Sequence, residues 1–335
     1  NFSADGALKM KYTKKTLGIV AIPVICLVIM SAVCRFSGTA LFTGFSTVQL
    51  YFRGLAYVLL LSLGVSINLH TGRFDFSTGA VMLIGGIVGA KIGYMSGGGP
   101  VAMILSAAVV GAVTGGVVGL LYVLLRLPPM IIGLGMTLII EGIIAIITDG
   151  CKPVGFGADD SYYRFAVNPT AMMIICAAAL LLMITLFHFT KFGYDYRALQ
   201  TGQGIAVNAG VNEKSNAVIC YTVAGLLFGA AGAISVCSTN GVTPTINFST
   251  IASMFACFLP LFFSQFINKF CNKQIAVLMG CVAYEFIQIG FGQISSVKAF
   301  FTSDVYKVVE AAVLVLFLIY LNNEDLILRK RKNYA

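Results

Sequence analysis

The sequence predicts an all-α, polytopic membrane protein of about ten transmembrane helices. Three observations carry this. Apolar residues make up 58% of the 335-residue chain and charged residues only 10%, against about 25% charged in an average soluble domain. The mean hydropathy is +0.91. The apolar residues fall in runs of about 20, the length that crosses a hydrocarbon core. So few charges cannot coat a water-soluble domain, and low hydrophobicity, the signature of disorder, is absent.

In chain order the expected spans are 16–34, 49–69, 76–95, 101–125, 130–148, 170–189, 215–237, 250–267, 274–292 and 306–321. The least regular are 49–69, interrupted by Arg53, and 274–292, which contains Glu285. The first run follows Lys9, Lys11, Lys14 and Lys15 and lacks a small-residue cleavage site, so it reads as a span and not a signal peptide. Met10 followed by Lys11 reads as a native start, which sets residues 1–9 apart. The remainder is expected to form a single transmembrane domain.

An even number of spans puts both termini on one side. With the termini inside, 15 of the 22 Lys and Arg residues fall on the inner side, including the tail Arg329-Lys330-Arg331-Lys332. The positive-inside rule therefore assigns cytoplasmic termini and a multi-pass cytoplasmic membrane protein. The net charge of +9 is thus explained by topology and not by nucleic acid. The tail, 322–335, is an orientation anchor, with lipid binding the alternative.

Two connections are long. The outer one, 149–168, carries Asp159-Asp160. The inner one, 190–214, is polar with apolar insertions at Ala198-Leu199 and Ile205-Ala206-Val207, which predicts a short surface helix. The nine cysteines are odd in number and irregular in spacing, with no C-x-x-C pair, so neither a disulfide framework nor a metal site is expected. They act as small hydrophobes. No P-loop, H-E-x-x-H or G-x-S-x-G is present, so no cofactor site is expected in this chain. His70 and His188 read as interfacial residues.

Three acids fall in spans: Glu141, Glu285 and Glu310. Such groups are costly and face a cavity or partner. Structural or cavity-lining roles outweigh ion coupling, because the three sit at differing depths. Small residues are dense at Gly79–Gly93, Gly111–Gly119 and Gly225–Gly232, the last with Gly-x-x-x-Gly. They predict close helix packing and no particular function.

Three segments carry a resemblance. Gly64-Val-Ser-Ile-Asn-Leu-His-Thr-Gly-Arg-Phe-Asp-Phe-Ser-Thr-Gly79 resembles the T-G-G-I-D-L-S-V-G segment of bacterial ABC permeases of the ribose type. Arg126-Leu-Pro-Pro-Met-Ile-Ile-Gly-Leu-Gly135 is similar to V-P-P-F-I-A-T-L-G, and Thr148-Asp-Gly follows it. The segment from Phe192 to Asn212 resembles G-R-x-x-x-A-x-G-x-N-x-x-A-A-x-x-S-G-I-x, and is the most specific of the three. The resemblance covers nearly the whole chain. It implies a type II-like importer permease working with a second permease subunit, identical or related. A cytoplasmic ATPase would bind ATP, and an extracytoplasmic binding protein would deliver solute.

On that resemblance the segment 190–214 is the ATPase-coupling loop, with Arg197, Gly202, Gln203, Ala206 and Gly210 at the matching positions. The first segment lines the translocation path through Asn68, Asp75, Ser77 and Thr78, with Glu141 as a further path residue. Short polar residues at a span junction suit non-helical backbone beside water. The simpler reading, compatible with it, makes Asp75 an N-cap of the third span. Two departures bear on pore shape. Arg73 and Phe74 stand where the family has Gly and Ile, and bulky residues over Phe258–Lys269 replace a Gly-rich segment. A heteromeric pore would accommodate that loss. The implied solute is a monosaccharide, a pentose such as ribose, with a nucleoside or other sugar-like solute next. Outside this class stand an ion-driven carrier using the three glutamates and a membrane scaffold.

Overall fold

The computed structural model describes residues 2–155, 160–239 and 241–295, together with residues 308, 311, 312, 315 and 319. The helices in chain order are α1 (Phe2–Phe36), α2 (Phe45–Leu69), α3 (Thr78–Ile84), a π-helical turn (Gly85–Gly89), α4 (Ala90–Met95), α5 (Gly99–Leu125) and α6 (Pro129–Ile147). A two-residue strand β1 (Val154–Gly155) precedes α7 (Asp160–Ala166), α8 (Pro169–Phe189), α9 (Lys191–Thr201), α10 (Gln203–Asn208) and α11 (Glu213–Thr239). Strand β2 (Gly241–Val242), a 3-10 turn (Ser249–Ile251), α12 (Ala252–Phe255), α13 (Phe258–Ile267) and α14 (Lys273–Ser295) complete the order. Nine segments among the described residues are long and apolar enough to cross a membrane, and they coincide with the first nine expected spans. The tenth, 306–321, lies almost wholly outside the described residues, as do Glu310 and the basic tail.

Helix ends follow local chemistry. Pro129 and Pro169 occupy first helical positions, where a missing N–H costs nothing. Asn168 caps α8 by accepting from the Thr170 backbone N–H at 3.0 Å. Arg126 closes α5 in the left-handed region, φ 56°. Two expected spans are not continuous helices. The third is α3, the π turn and α4 in succession, and the eighth is a 3-10 turn followed by α12 and α13. The connection 149–168 is not a plain loop. It contains β1 and α7, and β1 pairs antiparallel with β2, Val154 opposite Val242.

The described chain divides into two compact units. One comprises residues 1–47 and 258 onward, the other 48–257. In the first, α14 packs on α1 and on α13. A Cβ on Gly280 would sit 2.3 Å from the Pro260 carbonyl oxygen, and one on Gly290 would sit 2.2 Å from the Met30 Cε. The bulky segment Phe258–Lys269 is therefore approached closely through a glycine of α14, while Phe262 and Phe266 stack edge to face at 5.0 Å.

In the second unit the three small-residue stretches pack on one another. On α5, Gly111 and Gly115 stand one turn apart; on α11, Gly225 and Gly229 do the same. A Cβ on Gly111 would sit 2.3 Å from the Gly225 oxygen, and one on Gly229 would sit 2.1 Å from the Ala107 oxygen. The π turn joins them, since a Cβ on Gly85 would lie 2.6 Å from the Gly229 Cα and one on Gly89 would lie 2.2 Å from the Ala107 Cα. Gly232 meets the Met82 oxygen at 2.1 Å in the same sense. These are backbone-to-backbone contacts, the packing that small residues permit inside a bilayer. A π turn widens the third span where its glycines meet both neighbours; such turns are rare and local.

This packing makes a sharp contrast between glycines. Gly229→Val drives a side chain into α5 backbone and should cost about 3 kcal/mol or more. Gly142→Ala, on α6 with nothing within 4 Å of the added Cβ, should raise stability by about 0.5–1 kcal/mol. The chain has no tryptophan, so far-UV circular dichroism on heating in detergent is the measurement. Equal melting of the two variants would refute the backbone-contact account.

Candidate functional site

The site is built on one face of α6. Gly133, Thr137 and Glu141 recur every four residues and so lie on one side of the helix. Each holds a different piece of non-helical backbone. A Cβ on Gly133 would sit 2.6 Å from both Asp75 Oδ1 and the Phe76 nitrogen, so only glycine lets the α2–α3 junction lie this close. The Thr137 hydroxyl donates to the Phe76 carbonyl at 3.1 Å and to its own Gly133 carbonyl at 2.8 Å. The Glu141 carboxylate, 1% exposed, accepts from the Phe248 backbone N–H at 2.9 Å, the Thr250 N–H at 3.2 Å and the Thr250 hydroxyl at 2.7 Å.

Glu141 thus caps the start of the broken eighth span, where Asn247 and Phe248 both have positive φ, 67° and 63°. A buried carboxylate with three donors at the positive end of a helical turn has its charge compensated. The Thr250 carbonyl then packs on α3, where a Cβ on Gly79 would lie 1.8 Å away. α6 therefore joins the α2–α3 junction to the 247–251 turn through backbone groups.

The junction itself is tightly folded. The backbone N–H groups of Thr71 and Arg73 both donate to the Asn68 carbonyl, at 3.2 and 2.9 Å, and Gly72 has φ +73°. Asp75 does not cap α3 as the sequence suggests. Its Oδ1 accepts from the Ser77 N–H at 2.9 Å and its Oδ2 from the Ser77 hydroxyl at 2.8 Å. Ser77 holds the cap position and makes no side-chain cap bond. The carboxylate closes a local Asx-type turn ahead of the helix instead. Burial pushes the Asp75 carboxyl up to about 6, with the two Ser77 bonds pulling the other way.

Asn68, Asp75 and Thr78 line one cavity with Arg73, Phe74, Val65, Leu69 and Met254. Its volume is about 10 Å³, water-sized and far below the several hundred Å³ of a small-molecule pocket. Asn68 is 3% exposed, and its Oδ1 has no hydrogen-bond partner among the described residues. Of the five path residues suggested by the sequence, the structure brings Asn68, Asp75 and Thr78 to this cavity. It bonds Ser77 to Asp75 and commits Glu141 to the 247–251 turn.

The segment 190–214 forms two short helices, α9 and α10, where the sequence suggests one. Thr190 caps α9 by accepting from the Gly193 N–H at 3.3 Å. Gly202 lies between them in extended backbone, and Gly210 ends α10 with φ +92°. The Arg197 guanidinium carbon stands 4.6 Å from the centre of the Tyr194 ring, and Nη1 is 3.5 Å from His188 Nδ1. The Gln203 amide nitrogen donates to Glu213 Oε1 at 2.6 Å. Ala206 is buried, whereas its neighbour Ile205 is 79% exposed. The α9 helix is fastened to the junction by Tyr196, whose buried hydroxyl donates to the Ile67 carbonyl at 2.9 Å.

Sequence reasoning misses Gly133, Thr137, Tyr196 and Glu213. The first two were detectable as small and polar residues at four-residue spacing with Glu141. Among the described residues no group of His, Cys, Asp or Glu could hold a metal ion.

Comparison with known proteins agrees with this architecture. Residues 46–318 match the family described as branched-chain amino acid transport system / permease component. The chain is 26% identical over 200 residues to the D-allose transport system permease protein of Escherichia coli K12, 58% of this chain and 61% of that protein. It is 30% identical over 190 residues to the galactofuranose transporter permease protein of the same organism, 56% of this chain and 55% of that protein. It is 24% identical over 273 residues to that organism's ribose import permease protein, 79% of this chain and 82% of the relative.

Two outcomes follow from the geometry. Glu141→Leu leaves three donors without an acceptor and should cost about 3–5 kcal/mol, while Glu141→Gln keeps an acceptor and should lose less; circular dichroism melts rank the two. For Asp75, a folded pKa above the unfolded value of 3.8 means that stability falls as pH rises through about 6. The drop should reach up to about 3 kcal/mol, and Asp75→Asn should flatten it. Identical pH profiles for wild type and Asp75→Asn would show that this carboxyl does not carry the effect.

Proposed function

The chain belongs to the branched-chain amino acid transport system / permease component family, and on that premise we propose that it is the membrane-spanning subunit of an ATP-driven monosaccharide importer. The relatives whose names specify allose, galactofuranose and ribose support a sugar as solute. A pentose such as ribose is the finer reading; the relatives, at 24–30% identity, support a sugar and no one sugar over another. Two permease subunits, identical or related, form the path. A separate ATPase binds ATP on the cytoplasmic side, and an extracytoplasmic binding protein delivers solute. The protein lies in the bacterial inner membrane with both termini in the cytoplasm, and the excess of Lys and Arg on that side supports this orientation.

The observation that carries the reading is Ile205. It is 79% exposed on α10, a short helix outside the nine candidate spans. Val207 and Tyr194 are also exposed beside it in sequence or on α9. Apolar side chains on short polar helices suit insertion into a groove of a partner. Ala206 faces inward and Gly210 supplies the left-handed turn, so both shape the loop; Arg197 offers a cation beside the apolar contact. In the state described, the junction cavity of about 10 Å³ is closed to a sugar. Nucleotide-driven movement of the ATPase, pulling on α9 and α10, would open it.

Ile205→Glu places a charge at the centre of the proposed contact. It should reduce the ATPase recovered with the purified permease by at least about tenfold, with the permease melting curve unchanged because the residue is exposed. Undiminished ATPase recovery would remove Ile205 from the interface. A wild-type chain that purifies from its native membrane without any ATPase, under detergent conditions that preserve such complexes, would overturn the importer reading.

A further inference from the structure

Arg73 is a cation buried to 4% exposure, at a junction position where the resembling family has glycine. A buried charge needs compensation, and its surroundings identify the compensator. Arg73 Nη2 lies 3.9 Å from Glu213 Oε1. Nη1 reaches the Thr71 hydroxyl at 3.3 Å, and the guanidinium carbon is 5.7 Å from the centre of the Tyr122 ring.

Glu213 sits in the first turn of α11, where a negative side chain suits the helix dipole. The same Oε1 that faces Arg73 accepts from the Gln203 amide at 2.6 Å. One carboxylate oxygen therefore joins α10 to the α2–α3 junction. Arg73 is covalently next to the groups that close the cavity. Its own N–H bonds the Asn68 carbonyl, and its side chain lines the cavity with Asn68, Asp75 and Thr78. A shift of α10 that draws Gln203 away from α11, or pushes it inward, acts directly on the carboxylate that balances Arg73.

We propose that Arg73 and Glu213 form an internal latch that transmits the position of α10 to the closed α2–α3 junction. Both are positioning residues. The proposal rests on α9–α10 being the ATPase-docking surface. The Tyr196–Ile67 bond anchors α9 to the same end of α2, so α9 supplies the fulcrum and Gln203–Glu213–Arg73 the moving link. Because Glu213 is partly open to solvent while Arg73 is not, the two ends can be broken separately. Arg73→Met removes the buried charge and keeps an unbranched stem. Glu213→Gln keeps the shape and removes the carboxylate charge that faces Arg73.

The test is hydrogen exchange by mass spectrometry on the permease–ATPase complex in lipid nanodiscs, with and without ATP. In the wild type, ATP should change exchange at residues 70–77 by about 5- to 100-fold, the usual range of coupling between sites. In Arg73→Met and Glu213→Gln this nucleotide response should fall below about fivefold, the lower edge of such coupling, while the ATPase still protects α9 and α10. A loss of structure alone would raise exchange at 70–77 equally with and without ATP. Should Glu213→Gln fail to fold, Arg73→Met decides the matter. An intact nucleotide response in Arg73→Met, or none in the wild-type complex, overturns the latch. Absence of protection at α9–α10 in the wild type would overturn the docking assignment instead.

Discussion

Everything in the larger unit depends on three helical backbones lying in direct contact. α5, α11 and the third span meet through Gly111, Gly229, Gly85 and Gly89, where any Cβ would fall within about 3 Å of a neighbour's main chain. In lipid the hydrophobic effect does not hold helices together, because the surrounding chains are as apolar as leucine. Close approach, with its dispersion contacts, takes over that role. The core is therefore made of absent side chains.

On this rigid assembly the irregular backbone can be placed accurately. Non-helical segments at membrane depth survive only where their polar groups find partners within the protein. α6 supplies those partners from a single face, one per turn. Gly133 admits the junction, Thr137 bonds it, and Glu141 satisfies the amides of the 247–251 turn. Glu141, for which the sequence favours a structural or cavity-lining role, bonds the start of a broken helix. Its charge faces N–H groups of known position.

Much of the architecture was legible because bilayer physics leaves its mark on long windows. Runs of about 20 apolar residues placed the first nine spans within a few residues, and the clustering of glycines announced close packing. The interruptions were not legible. Nothing in Gly85–Gly89 distinguishes a π turn from ordinary helix, and the 3-10 turn at Ser249–Ile251 depends on Glu141, over a hundred residues away. The site was half visible. Asp75, Ser77 and Thr78 announced a turn by residue type, but whether Asp75 caps the helix or closes the turn ahead of it is decided by backbone geometry. Arg73 read as a departure from a glycine pattern. Its partner Glu213 lies at the far end of another segment, and no periodicity links the two.

The arrangement along α6 also restricts how the molecule can move. Successive residues on a helix point about 100° apart, so turning α6 by one residue's worth about its axis would withdraw Gly133, Thr137 and Glu141 from their partners together. Sliding it by one residue, about 1.5 Å, would break the same set. Neither freedom can be used piecemeal. α6 therefore behaves as a fixed post against which other parts bend, and the pliable point is a segment that lacks such a post: the extended residue Gly202 between two short helices. A transporter built this way would change access by flexing its joints and not by rotating its columns.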